Sequence, residues 1–221
     1  INDQGGVNGR KLNLIQYDDA YSPPKAVEQV RKLVEGDEVL LTFQIVGTPS
    51  NAAVQKYLNQ KKVPQLFAAT GATRFSDFKN FPWTMGFNPN YQSEGRIYGK
   101  YILANYPNAK IGVLFQNDDL GRDYVTGLKD GLGDKAKTMI VGETSYELSD
   151  PTIDSQIVKL KSLGADLLYD ASTPKFAAQA IKKVADLGWK PVHILDINAT
   201  SVGAVMKPAG LDNAKGVISV N

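Results

Sequence analysis

Cysteine is absent from the 221-residue chain. That excludes disulfides, thiolate nucleophiles and thiolate metal sites, and leaves the compartment open. Histidine occurs once, at His193. It sits in an apolar run with no metal partner at close spacing, so it reads as structural. No apolar run approaches the roughly 20 residues of a membrane-crossing helix. Charge of one sign is also lacking: Lys and Arg number 25, Asp and Glu 23, for a formal net charge of +2. No basic run exceeds a pair such as Lys61-Lys62 or Lys182-Lys183, so the basic stripe of a nucleic-acid binder is missing. The strong catalytic signatures are missing too, with no G-x-S-x-G, no G-x-G-x-x-G and no Walker loop. Gly95–Lys100 imitates a Walker loop only at its ends, with short spacing and Tyr101 where Ser or Thr is required. The chain opens Ile1-Asn2-Asp3, without Met and without a signal-peptide pattern, and an upstream segment is expected.

What is present is an ordinary globular composition, 43% hydrophobic and 22% charged. Short β-type runs alternate with helical patterns. Strands are expected at 11–17, 39–43, 65–69, 110–115, 138–145, 166–169 and 191–195. Helices are expected at 23–35, 48–59, 91–106, 123–132, 154–163 and 175–187. In the helix over 91–106, Ile97, Tyr101 and Ile102 are expected inward. The alternation predicts an α/β fold of parallel sheets with helices on both faces. It breaks once, at the polar stretch 70–81 and the Pro-containing segment after it. This places a first lobe at 1–88 and a second at 89–216, with 217–221 the start of a further strand.

In open α/β sheets, ligands bind beyond the carboxyl ends of strands. Three such ends carry candidates. Gly47-Thr48-Pro49 enters a helix, with Thr48 as N-cap and Pro49 as first helical residue, a pairing that also suits an anion. Gly71-Ala72-Thr73 combines close backbone approach with a hydroxyl. Gln116–Gly121 is a polar loop whose aspartates suit helix capping. Asp18-Asp19 ends a strand in the manner of an Mg²⁺-binding pair, although strand-end acids more often cap the following loop.

Several segments resemble one family, the periplasmic branched-chain amino-acid-binding proteins. They are Asn2–Arg10 with its Gly-Gly-Val-Asn-Gly turn, Asp18-Asp19-Ala20, Pro24-Lys25-Ala26-Val27, Gly71-Ala72-Thr73, Lys100-Tyr101-Ile102-Leu103, Asp118-Asp119-Leu120-Gly121, Asp130-Gly131-Leu132 and Gly188-Trp189-Lys190. In order and spacing they cover the chain. The resemblance implies two doubly wound lobes joined by a hinge that closes on a ligand in the interlobe cleft. It also implies that the chain is incomplete at both ends, with a central first-lobe strand expected before residue 1. It further implies a monomeric, non-enzymatic binding protein without cofactor, periplasmic or lipid-anchored. Such a protein hands a small carboxylate (a branched-chain amino acid or a related aliphatic or aromatic acid) to the membrane permease of an ABC importer. A ligand-sensing regulatory or receptor domain of the same fold is the alternative. Carried over residue by residue, Gly47 and Thr48 take the carboxylate, the Gly71 carbonyl takes the ammonium, and Thr73 touches both. Ala72 lies in the same loop. Leu120 and Ser172 stand where the family has aromatics. Asp196 is the one acid placed to neutralise the ammonium. The carboxylate half matches better than the ammonium half, so an acid lacking an ammonium group is expected to bind at least as well as leucine. The family's disulfide positions fall at Tyr21 and Val46.

Overall fold

The computed structural model describes residues 1–220. The elements run α1 (Pro23–Arg31), β1 (Thr42–Phe43), α2 (Thr48–Lys61), β2 (Gln65–Ala68), β3 (Thr84–Gly86), α3 (Tyr91–Asn105), β4 (Ile111–Gln116), α4 (Asp119–Leu132), α5 (Ala136–Met139), β5 (Ile140–Tyr146), α6 (Asp154–Ser162), β6 (Leu167–Ala171), α7 (Pro174–Asp186), β7 (Val192–Leu195) and α8 (Lys207–Ala209). Among the described residues no helix is long and apolar enough to cross a membrane. The chain divides into two compact units: Ile1–Ala69 with Phe78–Gly86, and Thr70–Asp77 with Phe87–Asn221.

The first unit is built on a three-stranded parallel sheet in the order β1-β2-β3, with Thr42 beside Gln65 and Gln65 beside Thr84. One face is covered by α1 and α2, which bury Ala26, Val30, Val54 and Leu58 against each other. The expected strand at 11–17 does not form. Its residues join no ladder, and Leu12 and Leu14 are exposed. Backbone of strand character becomes a strand only beside a partner, and the 11–17 backbone has none here. Leu12 is held instead by the Asn2 side chain, which accepts from the Leu12 N–H and donates to its carbonyl, both at 2.8 Å.

The second unit is larger. Four parallel strands run β5-β4-β6-β7, with Ile111 beside Leu167 and Leu167 beside Val192. Among the described residues, the run 216–220 pairs with the outer edge of β7 at a bridge between Ile194 and Ile218. Leu114 and Leu168 face α6 and α7, forming a core with Ile157, Leu160 and Phe176. Tyr169 faces the other way and packs edge-on against Tyr98 of α3 at 5.8 Å, as the two-residue period of a strand requires.

Helix α3 lies against α4 closely enough that methyl groups would not fit between them. A Cβ at Gly95 would stand 2.7 Å from the Tyr124 carbonyl, and one at Gly99 would stand 2.8 Å from Gly131 Cα. This contact sets the rotation of α3. Its buried face carries Tyr91, Glu94, Tyr98 and Ile102, whereas Ile97 and Tyr101, expected inward, are 56% and 37% exposed.

Candidate functional site

Strand connections reverse direction between β4 and β6, so the crevice rule points to the ends of these strands. The residues there satisfy one another. Gln116 Oε1 accepts from the Thr173 hydroxyl at 3.0 Å and from Tyr146 Oη at 3.2 Å, and the Thr173 N–H donates to Tyr146 Oη at 3.0 Å. Asp118 receives the Gln116 amide at 2.6 Å and caps α4 through the amides of Leu120 and Gly121. That capping starts α4 four residues earlier than the periodicity predicts. Ser172 is fully buried and donates to Asp170 at 2.5 Å, while His193 Nε2 stands 3.1 Å from the other Asp170 oxygen. The lone histidine is thus paired inside the unit.

The unsatisfied chemistry lies beside this knot, at the end of β7. Asp196 is 1% exposed. Its Oδ1 accepts from the Asn198 N–H and from Asn198 Nδ2, both at 2.8 Å, and its Oδ2 has no partner. Glu94, projecting from α3, is 4% exposed. It accepts from Tyr124 Oη at 2.6 Å and from the Ile197 N–H at 2.9 Å. Asn198 Nδ2 also donates to Tyr124 Oη at 3.1 Å, tying the two carboxyls into one network. The Tyr169 hydroxyl, buried among the same groups, is likewise without a partner. Among the described residues no lysine, arginine or histidine bonds to either Asp196 or Glu94. Burial, and after it the charge of Glu94, pushes the Asp196 carboxyl well above the ordinary range. Burial raises Glu94 as well, against the opposing hydrogen bond from Tyr124. A buried carboxyl with no cation and an open oxygen is costly unless something pairs it.

The Gly71–Thr73 loop belongs to this second unit. Gly71 is required there, since a Cβ would stand 2.0 Å from the Pro89 carbonyl. Its own carbonyl accepts from the Tyr91 N–H at 2.9 Å, which leaves one lone pair. The Thr73 N–H and hydroxyl both donate to Asp123, at 2.6 and 3.0 Å. The hydroxyl therefore has lone pairs to offer but no proton. Of the two groups the resemblance gives it, carboxylate and ammonium, that suits the ammonium, a donor, better. Ala72 and Leu120 are buried apolar residues.

In the first unit, α2 begins at Thr48 as expected, but its N-cap is Gly47, at φ 93°, rather than Thr48, and Thr48 and Pro49 are the first helical residues. The Tyr21 ring covers Gly47, leaving a Cβ only 2.1 Å of room. Ser50, fully buried in this first turn, has an Oγ without a partner. The carboxylates of Asp18 and Asp19 accept from the amides of Ala20 and Tyr21, as loop caps do.

The sequence reading did not single out Glu94, Tyr169 or Ser50. Glu94 lies on the stripe 91-94-98-102, so phasing α3 by Tyr91 and Tyr98 instead of Ile97 and Tyr101 exposes it. Nothing in the sequence marks Tyr169 or Ser50 beyond their position at the ends of a strand and a turn.

The family described as periplasmic binding protein matches residues 1–221. The Leu/Ile/Val-binding protein homolog 2 of Brucella abortus (strain 2308) is 26% identical over 197 residues, 87% of this chain and 51% of that protein. The leucine-, isoleucine-, valine-, threonine-, and alanine-binding protein of Pseudomonas aeruginosa is 27% identical over 170 residues, 76% of this chain and 44% of that one. The chain thus spans about half the length of these curated relatives. A substrate-binding periplasmic protein from Ralstonia solanacearum superposes with a TM-score of 0.85 at 25% identity, over 98% of this chain and 60% of its own. A fatty acid ABC transporter substrate-binding protein from Thermomonospora curvata gives 0.78 at 19% identity, over 99% and 55%, a likeness of fold alone.

Proposed function

This chain belongs to the periplasmic binding protein family, and from that premise we propose that it serves as the extracytoplasmic solute-binding component of an ABC importer for a small amino acid. One observation carries the ligand class: the fully buried Asp196, whose Oδ2 has no partner in a cation-free cluster at the strand ends. An ammonium group is the natural occupant. It donates to Asp196 Oδ2, and its other hydrogens suit acceptors such as the remaining lone pairs of Gly71 O and Thr73 Oγ. Within the first unit, the start of α2, with its helix dipole and the open Ser50 Oγ, is by itself suited to an anionic group. The relatives named for leucine, isoleucine and valine support an aliphatic side chain. Delivery to a membrane permease and action as a monomer follow from the same reading.

Asp196 moves the weight from the carboxylate half of the site to the ammonium half. An aliphatic or aromatic acid without a cation would leave a buried carboxyl unpaired. A thermal-shift panel decides between the two. A ligand at about 100 times its dissociation constant adds roughly 2.7 kcal/mol of stability. L-Leucine, L-valine and L-alanine are expected to raise the melting temperature, and 4-methylpentanoate and benzoate to leave it unchanged. A shift confined to the acids would sink the amino-acid reading.

A further inference from the structure

We infer that Glu94 is a second acid of the ligand site: without ligand, Glu94 and Asp196 hold one proton between them, and the cationic group of the ligand takes that proton's place. The inference rests on the amino-acid reading above and adds a proton to its stoichiometry.

The geometry carries it. Glu94 reaches the β7 end from α3 and grips the Ile197 N–H, the amide immediately after Asp196. Asp196 grips the next amide, that of Asn198. Two carboxyl groups therefore close on consecutive peptide units. They are joined through Asn198 and Tyr124, with exposures of 4% and 1%. Two such acids without a cation do not both ionise; like charges in a buried site retain a proton. The groups facing them supply no positive charge. From α3 come Tyr91 and Tyr98, from α4 Tyr124, from β5 Tyr146, and from β6 Tyr169 and Asp170. His193 of β7 is engaged with Asp170. The two atoms left open, Asp196 Oδ2 and Tyr169 Oη, are both acceptors toward an ammonium group. When such a group arrives, Asp196 binds it as the carboxylate, and the shared proton leaves to solvent. A neutral ligand end has no such exchange to make, so Glu94 selects for a cation by making the empty site protonated rather than charged.

Calorimetry with L-leucine at about pH 7, in phosphate and in Tris, reads the proton count directly from the difference in apparent enthalpy. The wild type is expected to release a substantial fraction of one proton, and its affinity to rise by up to about tenfold per pH unit between about pH 5 and pH 7. Glu94→Gln keeps acceptor and donor atoms for Ile197 and Tyr124 and removes the neighbouring acid. It is expected to bind leucine, to release less, and to shift the midpoint of the affinity profile by about a unit or more toward acid. A merely structural Glu94 would change affinity and leave the proton count and midpoint alone. Leucine binding without proton release in the wild type would overturn the inference while leaving the amino-acid reading intact. Should leucine not bind, that reading falls, and infrared titration of the unliganded protein still decides the pair. A protonated-carboxyl band that persists to about pH 7 and moves to lower pH in Glu94→Gln supports it; a band gone by about pH 5 overturns it.

Discussion

Asp196 is held at the end of β7 in a place where its ionised form has neither water nor cation. Folding therefore binds its proton more tightly than the unfolded chain does. The sign follows from linkage. A carboxyl whose folded-state value is raised contributes most below its unfolded value, and that contribution is lost as pH rises from the unfolded value through the folded one. Asp196→Asn removes the loss. The unliganded variant is expected to melt above the wild type at about pH 8, with the gap closing toward about pH 4. It is also expected to lose about 1.5–3 kcal/mol of leucine binding, roughly ten- to a hundredfold, because a hydrogen bond to a charged group disappears. Melting curves at both pH values and one calorimetric titration check this; a variant less stable than wild type at about pH 8 would show that the open Oδ2 is satisfied by some other group. Asp196 was legible in the sequence only through resemblance, since an acid after an apolar strand usually caps a loop. Its partner Glu94 was legible in principle, as a charged residue on the inward stripe of a helix, but a one-residue error in helical phase hid it.

At the scale of elements, the pattern of strands and helices was readable wherever periodicity had a packing partner to express it. Helices α3, α6 and α7 and strands β4 to β7 fall close to their expected bounds, because the second unit has a partner for each apolar face, and α4 departs only at its start, where the Asp118 cap adds a turn. The strand expected at 11–17 has the alternation and lacks a neighbour. The glycines of α3 show what the sequence left unassigned. Gly95 and Gly99 imitate half of a nucleotide-binding loop in the sequence, yet their role is steric: they let α3 approach α4 at Tyr124, Leu128 and Gly131. That approach turns Tyr98 and Glu94 toward the strand ends. The Gly99→Ala variant places a methyl 2.8 Å from backbone atoms of Gly131 and Leu128, which cannot move aside as a side chain would. Overpacking of this kind costs about 1–3 kcal/mol. The expected outcome is a lowered melting temperature together with weaker ligand binding, since α3 carries Glu94. Adding a methyl at Gly203, which has nothing within 4 Å, is the control and is expected to change stability by less than about 0.5 kcal/mol. Equal effects at the two sites would refute close α3–α4 packing as the reason for these glycines.

For the molecule as a whole, the two units differ in how well each is packed within itself. The second has its sheet covered by α3 and α4 on one face and by α6 and α7 on the other, with Tyr124, Tyr169, Leu114 and Ile157 essentially removed from water. The first has a two-residue edge strand in β1, and Leu40, Phe43 and Val46 lie 85%, 55% and 64% exposed around it. Apolar area left in water forgoes roughly 25 cal/mol per Å², and a domain's net stability is only about 5–15 kcal/mol. The units are therefore expected to open separately, since local opening energies track buried apolar contacts and protected backbone bonds. Hydrogen exchange on residues 1–221 reads this directly. Amides of β4, β6 and β7 are expected to exchange only through the highest-energy opening, those of β1 and β2 through a lower one, and those of residues 11–17 at near-intrinsic rates, because only the Leu12 N–H among them has a bond to delay it. Because the ordering follows from each unit's own packing, it should survive saturation with leucine in the second unit. A single cooperative transition, with strong protection from Lys11 to Phe43, would mean that the first unit's sheet is completed by pairing absent from this structure.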